Sequence, residues 1–307
     1  MKPDKIFVTA INFNDSDTTI RFLDSLKDQD KEGIDLNALI IDNSTKQKIK
    51  INKENYSEYF NLKIIDPQDN LGFSGGHNMA IKEALISGAN YVLIMNNDVV
   101  LDRKLILEML KTIKNTETEG IVVPKIYFAK GYEFHKERYK KDDLGKVFWY
   151  AGGEIDWKNM ISYHRGVDEV DKGQFNKQEE TNFATGCCML VKREVFEKVG
   201  LLDENYFLYY EDADFSQRVL AKGYKIIYAP KAILWHENAG SAGGSGSTLQ
   251  DYFITRNRMY FGFKYAPLRT KIALIKESFL LLLKGRKNQK KGIKDFYFGK
   301  MGKGSII

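Results

Sequence analysis

The first 115 residues constrain the fold most, because short apolar runs that close on Asp or Asn alternate there with stretches of helical periodicity. Ile6–Phe13 is apolar and β-branched, and it passes into Asp15-Ser-Asp-Thr-Thr, a helix start, followed by Ile20, Phe22, Leu23 and Leu26. Leu39-Ile-Ile-Asp42-Asn43-Ser and Leu62–Ile65 read as two more strands. Asn70-Leu-Gly-Phe-Ser-Gly-Gly-His-Asn78 opens a helix, Tyr91–Met95 is a fourth strand closing on Asn96-Asn97-Asp98, and 104–113 is helical again. Four strand–helix alternations predict an α/β domain with a doubly wound, mostly parallel sheet.

Open sheets of this kind bind ligands at the C-terminal ends of their strands, which is where Asp42, Asn43 and Asp98 fall. The glycine-rich turn at 72–76 lets backbone approach a ligand, and it is expected to present free amides suited to phosphate at a helix N-terminus. It matches neither the dinucleotide nor the Walker spacing. Farther on, Tyr209-Tyr-Glu-Asp-Ala-Asp-Phe-Ser-Gln-Arg218 places three carboxylates behind two aromatics. Phe215 and Val219 share a helix face, so Glu211, Asp212 and Asp214 fall in a first turn, where the helix dipole favours negative charge. They are helix caps or a catalytic base.

A length of 307 residues suggests one main domain with an appendage, and only five prolines argue against long linkers. Cys187 and Cys188 are adjacent and sit in the apolar run Cys-Cys-Met-Leu-Val, as reduced core residues of a cytoplasmic protein would. The N-terminal apolar stretch is too short for a signal peptide, so secretion is not expected. Charge is uneven: the chain carries +6, yet residues 268–307 hold eleven Lys/Arg against Glu277 and Asp295. Within that tail the apolar run Ile272–Leu283 is about half the length that crosses a bilayer. It lies on an anionic membrane surface or packs on the main domain. The basic residues lack the fingerprint of a nucleic-acid module. The charge-rich stretch 129–146 reads as an exposed insertion, and 240–247, rich in Gly and Ser, as a lid or a connector.

The ordered motifs Thr9-Ala-Ile-Asn12, Ile-Ile-Asp42-Asn-Ser, Asn70 to Asn78, Asn96-Asn-Asp98, Tyr150-Ala-Gly-Gly153, Ala184-Thr-Gly186, Glu211-Asp-Ala-Asp214, His236 and Arg256-Asn-Arg258 together resemble inverting family 2 glycosyltransferases of the GT-A fold, in the rhamnosyltransferase-like group. The resemblance spans about residues 5–265. It implies a Rossmann-like, mostly parallel central sheet flanked by helices in a domain of residues 1–265. The nucleotide-binding half reaches to about 125 and the acceptor half covers about 126–265, with a basic amphipathic helical segment at 266–307.

By the same resemblance, Thr9, Asn12 and Asp42 receive the nucleoside, and Asn43, Gly72, Phe73, Asn78, Asn97, Thr185 and Gly186 complete the donor site. Arg256 and Arg258 offset diphosphate charge. Asn96-Asn97-Asp98 stands where the family has Asp-x-Asp, with one carboxylate where two are usual. Asp98 and His236 are then the expected ligands of Mg²⁺ or Mn²⁺, hard ions that prefer oxygen. Asp212 corresponds to the general base, while Glu211, Asp214, Trp149 and Tyr150 flank the acceptor.

The implied reaction moves a sugar, rhamnose from dTDP-rhamnose or another sugar from a UDP donor, to a hydroxyl of a cell-surface glycan or a polyprenyl-diphosphate-linked glycan. The expected place is the cytoplasmic face of the membrane. Two other readings stay open. A sugar nucleotidyltransferase would open with an Arg- and Lys-containing glycine loop, unlike Asn12-Phe-Asn-Asp, and a non-catalytic sugar-nucleotide binder would have lost its base.

Overall fold

The computed structural model describes residues 2–238 and 247–307. The expected lid or connector at 240–246 therefore lies outside the described residues. In chain order the elements are β1 (Asp4–Asn12), α1 (Ser16–Lys27), β2 (Ile34–Asp42), β3 (Asn61–Ile65), α2 (Gly72–Ile86), β4 (Tyr91–Met95), β5 (Val99–Leu101), α3 (Leu105–Ile113), β6 (Glu119–Phe128) and β7 (Phe148–Tyr150). There follow β8 (Gly153–Asp156), β9 (Ile161–His164), β10 (Glu179–Glu180), β11 (Cys188–Lys192), α4 (Arg193–Val199), α5 (Glu211–Ala221), β12 (Lys225–His236), α6 (Thr248–Tyr265), α7 (Leu268–Lys284) and α8 (Lys287–Tyr297).

The main sheet runs β10-β12-β6-β11-β4-β1-β2-β3, with β5 added to β12 and β7 to β6, and β8–β9 forms a separate hairpin. The β1–β2, β1–β4, β2–β3 and β6–β12 pairs are parallel, as the alternation predicts. Ile6, Val8, Ala10, Ile40 and Ile41 are fully buried, which a sheet covered on both faces requires. The central sheet and its flanking helices agree with the expected α/β architecture.

Two elements depart from strict alternation. The β2–β3 connection holds no α-helix. Asn52 caps a single 3₁₀ turn over Lys53–Tyr56, and the rings of Tyr56 and Phe60 stack 5.6 Å apart to seal that edge. The cysteine-containing apolar run becomes β11, which inserts antiparallel between β4 and β6. Both cysteines are free and buried there.

Register brings the strand ends together. Asn12 pairs with Asp42, Cys188 with Met95, and His236 with Val99, so the loops after β1, β2 and β4, the approach to β11 and the end of β12 converge on one edge. The tail folds onto this edge. Gly292 of α8 lies where a methyl group would meet the Tyr252 carbonyl of α6 at 2.7 Å, so the helices cross backbone to backbone. Asp295 accepts from the Tyr252 hydroxyl and, at 2.8 Å, from the Ser305 amide. Segment 266–307 thus packs on the main body.

Candidate active site

A cavity of about 830 Å³ opens at this convergent edge. Its floor comes from Asn43, Phe73, His77, Asn96–Asp98 and His236, one side from Trp149, His164 and Phe183, and another from Thr185, Gly186, Glu211 and Asp212. The remaining wall belongs to the tail side and combines apolar side chains, Phe253, Ile254 and Met259 of α6, Leu281 of α7 and Ile293 of α8, with the polar Arg258 and Glu277.

The acidic pair is reached through strained backbone. Phe207, Tyr209 and Tyr210 have φ of 64°, 67° and 75°, a left-handed region costly for side chains with a Cβ. Two adjacent residues of α6 hold this bend. Asn257 donates from Nδ2 to the carbonyls of Tyr206, Leu208 and Tyr209 at 2.9, 2.8 and 2.8 Å, and Arg256 donates to those of Asn205 and Tyr206 at 3.2 and 3.0 Å. Both side chains are fully buried. The bend delivers Glu211 and Asp212 to the first turn of α5 without any side-chain cap.

Asp212 accepts the Gly186 amide at 3.0 Å and its neighbour's amide, that of Ala213, at 2.8 Å. Gly186 has to be glycine, because a Cβ there would stand 2.9 Å from the Phe73 ring and 3.5 Å from the Asp212 carboxylate. Burial pushes the Asp212 carboxyl above the usual carboxylate range, and the two amides restrain the rise. Glu211 is pushed well up by burial first and by the charge of Asp212 second. Its Oε2 is buried without a protein partner. Of the two, Glu211 therefore retains a proton to higher pH. Desolvation here outweighs the helix dipole, which by first-turn position alone favours negative charge.

Across the same cavity His236 Nε2 lies 3.0 Å from Asp98 Oδ1, both groups buried. The Trp149 ring meets His236 edge-on at 4.5 Å and His164 at 4.2 Å. Burial lowers His164 to about 4, so it is neutral, and its Nδ1 is 3.1 Å from the Trp149 carbonyl. Two neighbouring ligands on an ion with bonds of about 2.1 Å are about 3 Å apart, so the Asp98–His236 spacing suits shared ligation. Among the described residues no group of three or more His, Cys, Asp or Glu side chains could hold a metal. The pair fits an ion whose other ligands are substrate oxygens and water, not a self-sufficient protein cage.

Of the remaining expected residues, Asn43, Gly72, Phe73, Asn97, Thr185, Gly186, Trp149 and Arg258 also line the cavity. Thr9, Asn12 and Asp42 do not, being buried beneath it. Asp42 accepts from Asn12 Nδ2 at 2.9 Å and from the amides of Ser44 and Ile49 at 3.2 and 2.9 Å. Burial opposes its charge, yet these donors hold its pKa below the usual value. It ties down the loop 43–49 in place of offering a free carboxylate to a base. Thr9 Oγ1 sits 3.0 Å from His77 Nδ1.

Asn78 clasps the chain at 202, exchanging bonds of 2.9 and 3.0 Å with the Leu202 backbone, and faces away from the cavity. Tyr150 is buried with its hydroxyl on the Phe183 carbonyl at 2.6 Å. Asp214 is buried between Arg218 and Lys264 at 2.7 and 2.6 Å. Arg256 is committed to backbone carbonyls, so it does not face a diphosphate. Arg258 reaches the cavity but forks onto Glu277 at 2.6 and 2.9 Å.

The expected amide cradle at α2 is occupied as well. Phe73 donates to the Phe207 carbonyl at 2.7 Å, and the Gly72 amide to Asn70 Oδ1 at 2.9 Å. Gly72, with φ of 70°, would place a Cβ 2.5 Å from the Phe207 carbonyl oxygen. Gly72 lets the strained bend approach α2, and the amides of Gly72 and Phe73 are already engaged. Sequence reasoning missed His164, His77, Phe183 and the apolar wall. His164 has no motif around it, and Phe253, Ile254 and Met259 do not recur at one helical spacing, so neither carried a sequence signal.

Residues 7–200 match the family described as Glycosyl transferase family 2. The low-salt glycan biosynthesis hexosyltransferase Agl10 of Haloferax volcanii is 24% identical over 221 residues, 72% of this chain and 65% of its own length. The N-acetylglucosaminyl-diphospho-decaprenol L-rhamnosyltransferase of Mycobacterium tuberculosis is 38% identical over 66 residues, 22% of each chain. These alignments thus span less than two thirds of the curated relatives. The crystal structure of GalNAc-T7 with UDP, GalNAc and Mn²⁺ superposes with a TM-score of 0.62 at 15% identity, over 96% of this chain and 57% of that one.

Proposed function

The chain belongs to glycosyl transferase family 2, and from that premise we propose that it transfers a hexose from a nucleotide-sugar donor to an acceptor hydroxyl by a single displacement with Asp212 as the base. The observation that carries this is the placement of Asp212 in the cavity, both oxygens held by backbone amides, with Asp98 and His236 lining the same space. An acceptor hydroxyl at Asp212 gives its proton to the carboxylate as its oxygen bonds to the anomeric carbon. The bond from that carbon to the diphosphate oxygen breaks on the opposite face. The nucleoside diphosphate leaves with the electron pair, and the anomeric configuration inverts.

Burial suits this role, because a carboxylate of raised pKa is a stronger base towards the acceptor proton. Glu211 Oε2 offers a partner for a second acceptor hydroxyl. Trp149 supplies an apolar face for sugar C–H groups. A divalent ion, Mg²⁺ or Mn²⁺, held by Asp98 and His236 would offset charge on the departing diphosphate; a structure of the same fold with Mn²⁺ supports a divalent ion in general. Rhamnose from a dTDP donor is our reading of the sugar, supported by the short stretch shared with the mycobacterial rhamnosyltransferase. The acceptor we favour is a glycan on a polyprenyl diphosphate. The nucleotide-binding half to about 125 and the acceptor half at 126–265 remain our division of the chain.

The test is a panel of nucleotide sugars by thermal shift, then release of nucleoside diphosphate in the presence of acceptor. A tight ligand raises Tm in proportion to its binding. Stabilisation by a donor without release under any acceptor would support a non-catalytic binder and count against transfer. Pyrophosphate as the product would mark a nucleotidyltransferase.

A further inference from the structure

Helix α7 has two unlike sides. Its inner side buries Leu274 and Ser278 and turns Glu277, Ser278 and Leu281 into the cavity. Its outer side leaves Leu268 and Leu283 each 74% exposed, Phe279 and Leu280 each 58%, and Ile272 47%. Spaced at i, i+4, i+11, i+12 and i+15, these five fall within one sector of about a third of the helix circumference, with Lys276 between the two groups. An apolar stripe of this extent does not stay in water without a purpose. Arg269, Lys276 and Lys284 are exposed on or beside it, and Lys287 and Lys294 follow on α8. The one carboxylate of α7, Glu277, is turned inward onto Arg258.

We propose that the outer face of α7 docks flat on an anionic lipid surface, its apolar stripe among the acyl chains and its basic side chains at the headgroups. The charge decides between occupants. A second copy meeting the same face about a two-fold axis would set Arg269, Lys276 and Lys284 against their own kind with no carboxylate to pair. Anionic headgroups complement all of them at once. No described helix is long and apolar enough to cross a membrane, so the contact is interfacial. Because the opposite side of α7 lines the cavity, docking brings the apolar wall of Leu281 and Ile293 near the lipid. That consequence, delivery of a lipid-linked acceptor towards Asp212, rests on the function proposed above; the docking itself does not.

The experiment is flotation of the full chain with phosphatidylcholine vesicles, with and without phosphatidylglycerol, in the absence of any nucleotide sugar. Wild type is expected to float with the anionic vesicles about tenfold or more better than with the neutral ones, and high salt should weaken the binding. The variant carrying Phe279→Glu and Leu283→Glu, both at exposed positions, should keep its Tm and lose the anionic binding. Equal flotation of wild type and variant overturns the proposal. So does failure of wild type to float, or a dimer in light scattering that the variant dissolves. Vesicle binding without sugar transfer would leave the docking face standing and remove the transferase reading; transfer to a water-soluble acceptor without vesicle binding would do the reverse.

Discussion

Asp212 and Glu211 are neighbours under one burial penalty, and they separate by what each accepts. Asp212 has two amides and Glu211 Oε2 has none, so the carboxyl of Glu211 is pushed up further than that of Asp212. Both pKa values are raised in the folded state, so the folded protein binds protons more tightly than the unfolded chain. The contribution of these two groups to stability is therefore greatest below the ordinary carboxylate range and falls as pH rises through the raised values. Glu211→Gln removes the larger of these costs. Its Tm is expected to exceed wild type by a few degrees at pH 8 and by little at pH 4.5, as thermal melts at the two pH values would reveal. A Tm gain that is equal at both would contradict the assignment. These residues were legible in the sequence as a first-turn carboxylate cluster. Their protonation was not, because desolvation depends on what the far side of the cavity supplies.

At the scale of elements, α6 governs the approach to α5. Asn257 donates to three carbonyls of a bend that holds Phe207, Tyr209 and Tyr210 at positive φ, sharing that of Tyr206 with Arg256 and the Leu208 amide. Asn257→Ala takes this donor from the part-buried Leu208 and Tyr209 carbonyls and is expected to cost about 1–3 kcal/mol in urea unfolding. Asn257→Asp should be worse, since a carboxylate there can only accept and would face three carbonyl oxygens. If Asp proves milder than Ala, the clamp is misassigned. Arg256-Asn257-Arg258 stood out in the sequence, but for the wrong task. Charge suggested a diphosphate, whereas the folded chain uses Arg256 and Asn257 as donors to backbone. The same substitution of roles occurred at Asp42 and Asn78, where a polar strand-end or helix residue braces a loop instead of lining the cavity. Sequence reports residue type and position along an element, not which lone pairs folding has already engaged. The parallel half of the sheet could be read from alternation because its strands are buried on both faces; antiparallel β11 could not, since its partners come from β4 and β6, far away in sequence.

For the whole molecule, one cavity joins a sheet edge from the first half of the chain to helices from its end. The proposed metal pair tests that union from one side. Asp98→Ala is expected to lower turnover by about 10²-fold or more, in line with the loss of a charge-stabilising group, while excess chelator lowers wild-type turnover. Turnover that ignores chelator would remove the metal from the account and leave Asp98–His236 as a buried hydrogen bond. The central claim is that Asp212 is the base of a sugar transfer, and single-turnover release of nucleoside diphosphate by Asp212→Asn measures it most directly once the panel has supplied a donor. The account predicts a variant that folds, is stabilised by the donor as wild type is, and releases product about 10²-fold more slowly or worse. Release at the wild-type rate would contradict it.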